Sequence, residues 1–198
     1  MNGTFIVLEG LDGSGTSTQL KRIAQKLDEL NHPYITTFEP TDKFIGKLIR
    51  DVLTHQEKMS PEGLQLMFSA DRAHHLSDII IPSLEQGKTV ICDRYIWSTL
   101  AFGSLQVKLE WLQELNKYFL EPDLTLYFQI EAETCMERIQ KRGAKAELFE
   151  ETQKLQQIKK TYDLLAEKSE NTVIIDASKK IDEVEEDLWY NIRKKIKI

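Results

Sequence analysis

The sequence predicts a three-layer α/β fold, in which helices cover both faces of a five-stranded parallel sheet. Five short β-prone runs punctuate the 198 residues, and segments with helical spacing of apolar residues fill the intervals. Strands that alternate with helices form βαβ units, whose strands run parallel. A glycine-rich turn also joins the first strand directly to the first helix. Because the chain has no internal repeat and no Pro/Gly/Ser-rich linker, we expect residues 1–198 to form a single domain.

The predicted elements follow one another along the chain. The first strand is the apolar run at 5–8, and Leu20, Ile23 and Leu27 give the first helix its apolar face. The other strands are predicted at 34–38, 89–92, 124–130 and 172–176. Further helices are predicted at 61–85, 109–120, 132–142, 150–167 and about 181–196. Ligands of such sheets bind beyond the carboxyl ends of the strands, so the candidate site residues are expected there.

The turn after the first strand matches the phosphate-binding P-loop pattern G-x-x-x-x-G-K-[ST] except at the lysine, where Thr16 stands. Backbone N–H groups and a helix N-terminus bind one anion in this arrangement. The turn therefore predicts a P-loop NTPase-like fold, with an ordinary tight turn as the alternative. Thr16 offers a neutral hydroxyl in place of a mobile charge, which affects catalysis rather than the fold. The loop consists of Gly10, Leu11, Asp12, Gly13, Ser14, Gly15, Thr16 and Ser17.

Two further strands end in charged residues, which a parallel sheet brings to the same edge. Asp93 and Arg94 follow the third strand, where the carboxylate can hold Mg²⁺ and the guanidinium can bridge two phosphate groups. The alternative is a local ion pair that caps the strand. Glu39 ends the second strand and is predicted to project into the same crevice, with a solvated loop carboxylate as its alternative.

Two helical segments carry further candidates. Phe68 and Arg72 are four residues apart on one helix face, where a ring can stack on a planar heterocycle and a guanidinium can donate hydrogen bonds to it. Spacing alone favours a core phenylalanine and a surface arginine. The basic segment 138–145 runs into a glycine turn and can fold over an anion as a lid, or merely place cations at a helix C-terminus. His74 and His75 are interpreted as ordinary helix residues.

Composition restricts the function classes. The formal net charge of −6 and the pI of about 5.4 disfavour broad electrostatic binding to nucleic acid or to an anionic membrane. No apolar stretch approaches the length of a membrane span, and the first strand begins too early to leave room for a signal peptide. Cys92 and Cys135 lie far apart in apolar segments and are expected to be buried free thiols. These observations predict a cytoplasmic protein.

Taken together, the motifs resemble those of the thymidylate kinase family, in its order and at its spacing. The resemblance is more specific than the P-loop alone and extends from the first strand to the predicted lid. It is carried by residues 5–15, Phe-Glu-Pro-Thr at 38–41, Phe-Ser-Ala-Asp-Arg at 68–72, Asp-Arg-Tyr at 93–95 with Ser98, Ala101 and Phe102, Pro-Asp-Leu-Thr-Leu-Tyr at 122–127, and Glu137 with Arg138.

This resemblance implies that the protein transfers the γ-phosphoryl group of ATP to dTMP with Mg²⁺, a step of dTTP biosynthesis, and that it is a homodimer whose other partners are nucleotides. Residues 10–17 would cradle ATP together with Arg142, and a short lid around 142–152 would close over it. Ser17 and Asp93 would hold the metal. The implied catalytic residues are Arg94, Asp93, Glu39 and Lys145. The implied acceptor site consists of Asp12, Arg50, Phe68, Arg72, Arg94, Tyr95 and Phe102.

The sequence departs from the family pattern at two cationic positions. Thr16 replaces the P-loop lysine, and Leu148 replaces an arginine that many bacterial relatives have in the lid. Phosphoryl transfer depends mainly on positioning and charge stabilisation, so other cations are expected to act there. A weakly active or non-catalytic nucleotide-binding module and a kinase for another nucleoside monophosphate remain the alternatives. The candidate replacement cations are Lys145, Arg142, Arg138 and Lys21.

Overall fold

A single parallel sheet organises the chain and confirms the predicted α/β class. The computed structural model describes residues 2–141 and 148–198, without the side chains of residues 148–150. Arg142 and Lys145 lie outside the described residues, as does most of the predicted lid. Five strands pair in the order β2-β3-β1-β4-β5, and every pair is parallel. The strands are β1 Thr4–Gly10, β2 Tyr34–Phe38, β3 Thr89–Asp93, β4 Leu124–Gln129 and β5 Thr172–Asp176.

The helices agree with the predicted ones and add two. A π-helical turn at Leu76–Ile80 joins α3 to α4, so the helix predicted at 61–85 is continuous. The sequence did not predict α2 or α5, because both are short and α5 is apolar on most sides. The helices are α1 Thr16–Glu29, α2 Phe44–Leu53, α3 Pro61–His75, α4 Ile81–Glu85, α5 Ile96–Gly103, α6 Leu109–Asn116, α7 Ala132–Lys141, α8 Leu148–Lys168 and α9 Ile181–Ile196.

The central strand β1 is buried on both faces. Ile6 and Leu8 pack into a core with α1 and α9, whereas Phe5 and Val7 pack into a second core with α4, α5 and α6. None of these four side chains is more than 1% exposed, so burial contributes several kcal/mol from this strand alone. An apolar run without alternation is typical of such a strand. The two free thiols are also buried, as expected.

The carboxyl ends of three strands meet at one edge of the sheet. The register pairs Leu8 with Asp93 and Asp93 with Phe38, so β1, β3 and β2 end at the same level. The Arg94 N–H donates to the Leu8 carbonyl at 2.9 Å, and the Glu39 N–H donates to the Asp93 carbonyl at 3.1 Å. The P-loop, Glu39 and Arg94 therefore start from adjacent backbone. No helix in the described part of the chain is long and apolar enough to cross a membrane.

Candidate active site

The P-loop turns through two glycines in the left-handed region. The φ angle is 84° at Gly13 and 106° at Gly15, values that residues with a Cβ rarely adopt. A Cβ at Gly13 would also lie 2.8 Å from the carbonyl oxygen of Cys135. Gly15 begins α1, since its carbonyl accepts from the N–H groups of Thr18 and Gln19 at 3.1 and 3.0 Å. The loop therefore presents its backbone to an adjoining cavity of about 500 Å³ without obstruction by side chains at these two positions.

Few cations line this phosphate-side cavity. Arg94 is the one Lys or Arg side chain among the described residues that line it, and Thr16 at the lysine position is only 5% exposed. Lys21 is exposed on α1. Arg138 donates to the carbonyl of Ser14 at 3.2 Å and to that of Ala177 at 2.9 Å, so it ties the P-loop to the turn after β5. These two segments and Arg138 line a separate cavity of about 240 Å³.

Ser17 and Asp93 meet beside the P-loop. The Ser17 hydroxyl donates to Asp93 Oδ2 at 2.5 Å, while Asp93 Oδ1 is buried and has no hydrogen-bond partner among the described residues. A hydroxyl beside an available carboxylate oxygen fits Mg²⁺, which binds through one or two protein ligands and otherwise through water and phosphate. Residues 2–141 and 148–198 contain no group of three or more His, Cys, Asp or Glu side chains arranged for a metal. Such a group is not needed for Mg²⁺.

Arg94 points back to the P-loop from the end of β3. Its φ of 71° turns the chain sharply after Asp93. Nη1 donates to the Gly10 carbonyl at 3.0 Å, Nη2 donates to Asp12 Oδ1 at 2.7 Å, and the guanidinium lies 5.1 Å from the Phe102 ring centroid. Burial disfavours its charge, but Asp12 and other anions outweigh that effect and raise the pKa of Arg94 above its ordinary value. Arg94 therefore remains a fixed cation.

A buried network supports Arg94 from behind. Glu9 is 1% exposed and accepts from the N–H of Tyr95 at 2.9 Å and from the Ser98 hydroxyl at 2.6 Å. The Ser98 hydroxyl in turn accepts from Arg94 Nη1 at 3.1 Å and lies 2.8 Å from the Tyr162 hydroxyl. Burial raises the pKa of Glu9, although these hydrogen bonds and Arg94 oppose the shift. The network connects α8, which begins within the predicted lid, to Arg94.

A third cavity, of about 560 Å³, extends from the P-loop to α3. Its lining includes the aromatic residues Phe68, Tyr95 and Phe102, which the resemblance assigned to the acceptor site. The phosphate-side cavity and this acceptor-side cavity share Asp12, Ser17 and Arg94 in their linings. The candidate residues at the two ends are therefore parts of one continuous site.

Arg72 also lines this cavity and is 1% exposed, so the surface position that helix spacing favoured for it is wrong. Nε and Nη2 donate to one oxygen of Glu39 at 2.9 and 2.7 Å. Nη2 also donates to Thr99 at 2.9 Å, and Nη1 donates to Asn116 at 2.5 Å. The guanidinium lies 4.9 Å from the Tyr95 ring centroid. Four of its five N–H groups are therefore engaged, and the ring restricts its plane.

Within the described residues, the Glu39 carboxylate contacts Arg72 and His75. Its Oε2 binds Arg72, and its Oε1 lies 3.1 Å from His75 Nδ1. His75 Nε2 lies 2.6 Å from the Thr37 hydroxyl. His75 is thus part of the site network, and the interpretation of it as an ordinary helix residue is wrong. The solvated alternative for Glu39 is wrong as well, because the residue is 5% exposed. Arg50 donates to the Pro40 carbonyl at 2.9 Å, beside this network.

Sequence reasoning missed the residues that hold the candidates in place. Glu9 reads as part of an apolar strand, and Asn116 and Thr99 lie far along the chain from the arginine that they bind. A charged residue in an otherwise apolar strand is the one signal that could have identified Glu9. The residues whose roles were missed are Glu9, Gln65, His75, Ser98, Thr99, Asn116 and Tyr162.

The fold and the site define a class of protein, the nucleotide-binding kinases with a P-loop. The sequence profile of the thymidylate kinase family matches residues 8–188. The chain is 37% identical over 194 residues to the probable thymidylate kinase of Pyrococcus abyssi, with 95% of each chain covered. It is 38% identical to the putative thymidylate kinase of Treponema pallidum (96% and 94% covered) and 37% identical to the thymidylate kinase of Mesoplasma florum (98% and 97%). The chain therefore belongs to the thymidylate kinase family.

Proposed function

We propose that this protein transfers the γ-phosphoryl group of ATP to the 5′-phosphate of dTMP, giving dTDP and ADP. The observation that carries the proposal is the junction of the two cavities at Asp12, Ser17 and Arg94. A donor held by the P-loop and an acceptor that stacks on Phe68 would bring their phosphates together at this junction. The names of the family relatives support dTMP as the acceptor.

Phosphoryl transfer requires position and charge rather than covalent chemistry from the protein. In this proposal the backbone of residues 10–17 cradles the donor phosphates, and Arg94 neutralises charge between donor and acceptor. Arg94 is suited to this role because Gly10 and Asp12 fix two of its nitrogens. A cation that is already oriented costs no reorganisation when charge develops in the transition state.

Magnesium fits the proposal through Ser17 and Asp93. The Ser17 hydroxyl and the unpartnered Oδ1 of Asp93 are the groups that would hold it, directly or through its water shell. When bound, the ion would supply charge stabilisation to the phosphate oxygens. A catalytic role for Glu39 stays a prediction, and its contacts favour a role in holding Arg72.

Thr16 is the observation that favours a second candidate, a nucleotide-binding module with little turnover. A loop without its lysine still binds phosphate through amides, but it lacks a mobile charge. Within the first proposal, that charge comes from Arg142, Lys145 or Lys21. Arg138 is less free to do so, because two backbone carbonyls engage it. Thr16→Lys discriminates between these views: a large gain in rate means that the missing charge limits turnover, and no gain means that another cation already provides it.

We also propose a homodimer in the cytoplasm. The family resemblance supports the dimer, and α2 carries apolar side chains that a partner could cover, since Phe44 is 76% and Leu53 is 49% exposed. The net charge of −6 supports nucleotides rather than nucleic acid as ligands. Light scattering after size exclusion would measure the mass in solution.

The test of the function is an assay of ADP release with ATP, Mg²⁺ and a panel of nucleoside monophosphates. We expect dTMP to be the best acceptor. Turnover at the level of a buffer blank with every acceptor, together with measurable ATP binding, would favour the binding module. Preference for another monophosphate would keep the chemistry and change the acceptor.

A further inference from the structure

Gln65 carries a buried polar atom that no described residue binds. The residue lies on α3 and is 7% exposed, and its Oε1 lacks a hydrogen-bond partner within the described part of the chain. Folded proteins pair more than about nine-tenths of their buried polar groups, because an unpaired acceptor destabilises the fold. An acceptor left unpaired beside a cavity therefore indicates a ligand that completes it.

Gln65 belongs to the acceptor-side cavity. It precedes Phe68 by three residues and Arg72 by seven, so all three side chains share one face of α3. All three also line the 560 Å³ cavity. A planar base stacked on Phe68 would therefore have Arg72 and Gln65 on the same helix face.

Gly103 leaves space for the Gln65 amide. A Cβ at position 103 would lie 2.9 Å from Gln65 Oε1, closer than real Cβ atoms approach, and 3.0 Å from both Gln65 Cδ and Leu112 Cδ1. The φ angle of Gly103 lies outside the left-handed region, so backbone conformation does not require glycine here. The missing side chain at position 103 lets both the Gln65 amide and Leu112 approach closely.

We propose that Gln65 Oε1 accepts a hydrogen bond from the ring N–H of the acceptor base, while Arg72 donates to the adjacent carbonyl. The inference rests on the proposed function and names the chemical class that this site selects: pyrimidines with a carbonyl next to a ring N–H, which are thymine and uracil. Arg72 retains one N–H that no described residue engages, and a guanidinium can only donate. Cytosine presents an amino group at that position, which would face a donor.

Two substitutions separate hydrogen bonding from shape. Gln65→Leu keeps a similar volume and removes the acceptor, whereas Gln65→Glu keeps an acceptor oxygen. Calorimetric titration with dTMP and, separately, with ATP measures each dissociation constant. We expect Gln65→Leu to weaken dTMP binding about three- to tenfold, the range for loss of one hydrogen bond, without changing ATP binding. We expect Gln65→Glu to bind dTMP within about twofold of the wild type.

Thermal unfolding of the nucleotide-free protein supplies a second readout. Because Gln65→Leu replaces an unpaired buried acceptor by an apolar group, we expect its melting temperature to equal or exceed that of the wild type. A purely structural glutamine would instead lower it on substitution. Weaker dTMP binding in a protein of undiminished stability would support the proposal.

The outcomes that overturn the proposal differ from those that overturn the function. If the wild type phosphorylates dTMP but Gln65→Leu binds dTMP as tightly, or if both variants weaken it equally, the role of Gln65 is wrong and the kinase assignment stands. If Gln65→Leu weakens ATP and dTMP alike, the effect is not at the base and the proposal also fails. If the wild type neither binds nor phosphorylates dTMP, both proposals are wrong.

Discussion

His75→Gln tests how Arg72, the arginine that we propose contacts the base, is held. The His75 side chain is fully buried between Glu39 Oε1, 3.1 Å from Nδ1, and the Thr37 hydroxyl, 2.6 Å from Nε2. A glutamine amide reaches the position of Nε2 and an asparagine amide reaches that of Nδ1. His75→Gln therefore keeps the contact with Thr37 and loses the one with Glu39, whereas His75→Asn does the reverse.

The expected cost follows from the burial of Glu39. Its side chain is 3% exposed, so loss of the His75 hydrogen bond leaves a carboxylate oxygen without a partner in a dry environment. Hydrogen bonds to charged groups contribute about 1.5–3 kcal/mol. For a domain of about 200 residues that corresponds to a melting temperature lower by about 3–12 °C. Because Glu39 also orients Arg72, we expect the KM for dTMP to rise about fivefold, while the KM for ATP is unchanged.

His74→Gln is the matched control. His74 is the preceding residue, its side chain is 49% exposed, and it faces Asp78 at 3.4 Å on the surface. Exposed pairs of this kind contribute about 0–1 kcal/mol, so we expect melting temperature and both KM values close to wild type. The reasoning is refuted if His75→Gln matches His74→Gln in both measurements, or if His75→Asn is as impaired as His75→Gln.

Three further predictions concern Arg94 and its support. Arg94→Ala should lower kcat about a thousandfold or more at unchanged fold by circular dichroism, and turnover within tenfold of wild type would contradict its role. Tyr162→Phe should lower kcat severalfold at constant KM in steady-state kinetics, because its hydroxyl contacts Ser98, whereas Tyr127→Phe in the same ring stack should not. Burial raises the pKa of Glu9 above 4.5. The contribution of this shift to the stability of the fold is therefore fully present below pH 4.5, and it is lost as the pH rises through the folded-state pKa. The melting temperature of Glu9→Gln minus that of wild type should therefore increase between about pH 4 and 8, and a constant difference would exclude this coupling.

The elements that local sequence determines were predictable. The strands at Tyr34–Phe38 and Thr172–Asp176 and the helix at Ile181–Ile196 agree with their predicted bounds, because each combines a clear period with recognisable end signals. The P-loop is similarly local, since two of its glycines have φ angles that other residues avoid. Helix α5 was missed because α6 and α8 cover it. It therefore lacks the polar face that would give its sequence a helical period of apolar residues.

The sequence predicted several residues that line the cavities, but not the contacts among them. Phe68 and Arg72 follow from motif and helix spacing, whereas the burial of Arg72 depends on Glu39, Thr99 and Asn116. These three partners lie between 27 and 44 positions away along the chain, on other elements. Contacts between residues so far apart leave no local pattern in the sequence from which they could be predicted. The surface interpretation of Arg72 failed for that reason.

The distribution of unsatisfied polar atoms separates the functions of the site's parts. Four buried side-chain atoms lack a hydrogen-bond partner within the described residues: Ser14 Oγ, Gln19 Oε1, Gln65 Oε1 and Asp93 Oδ1. All four residues line the cavities around the P-loop or the acceptor. Arg72, by contrast, has four of its five N–H groups engaged. Arg72 is thus oriented before any ligand binds, and the unpaired atoms lie where ligands would pair them. Nucleotide binding should therefore stabilise this protein by more than surface burial alone would provide, because it supplies hydrogen-bond partners to buried polar atoms that the described residues leave unpaired.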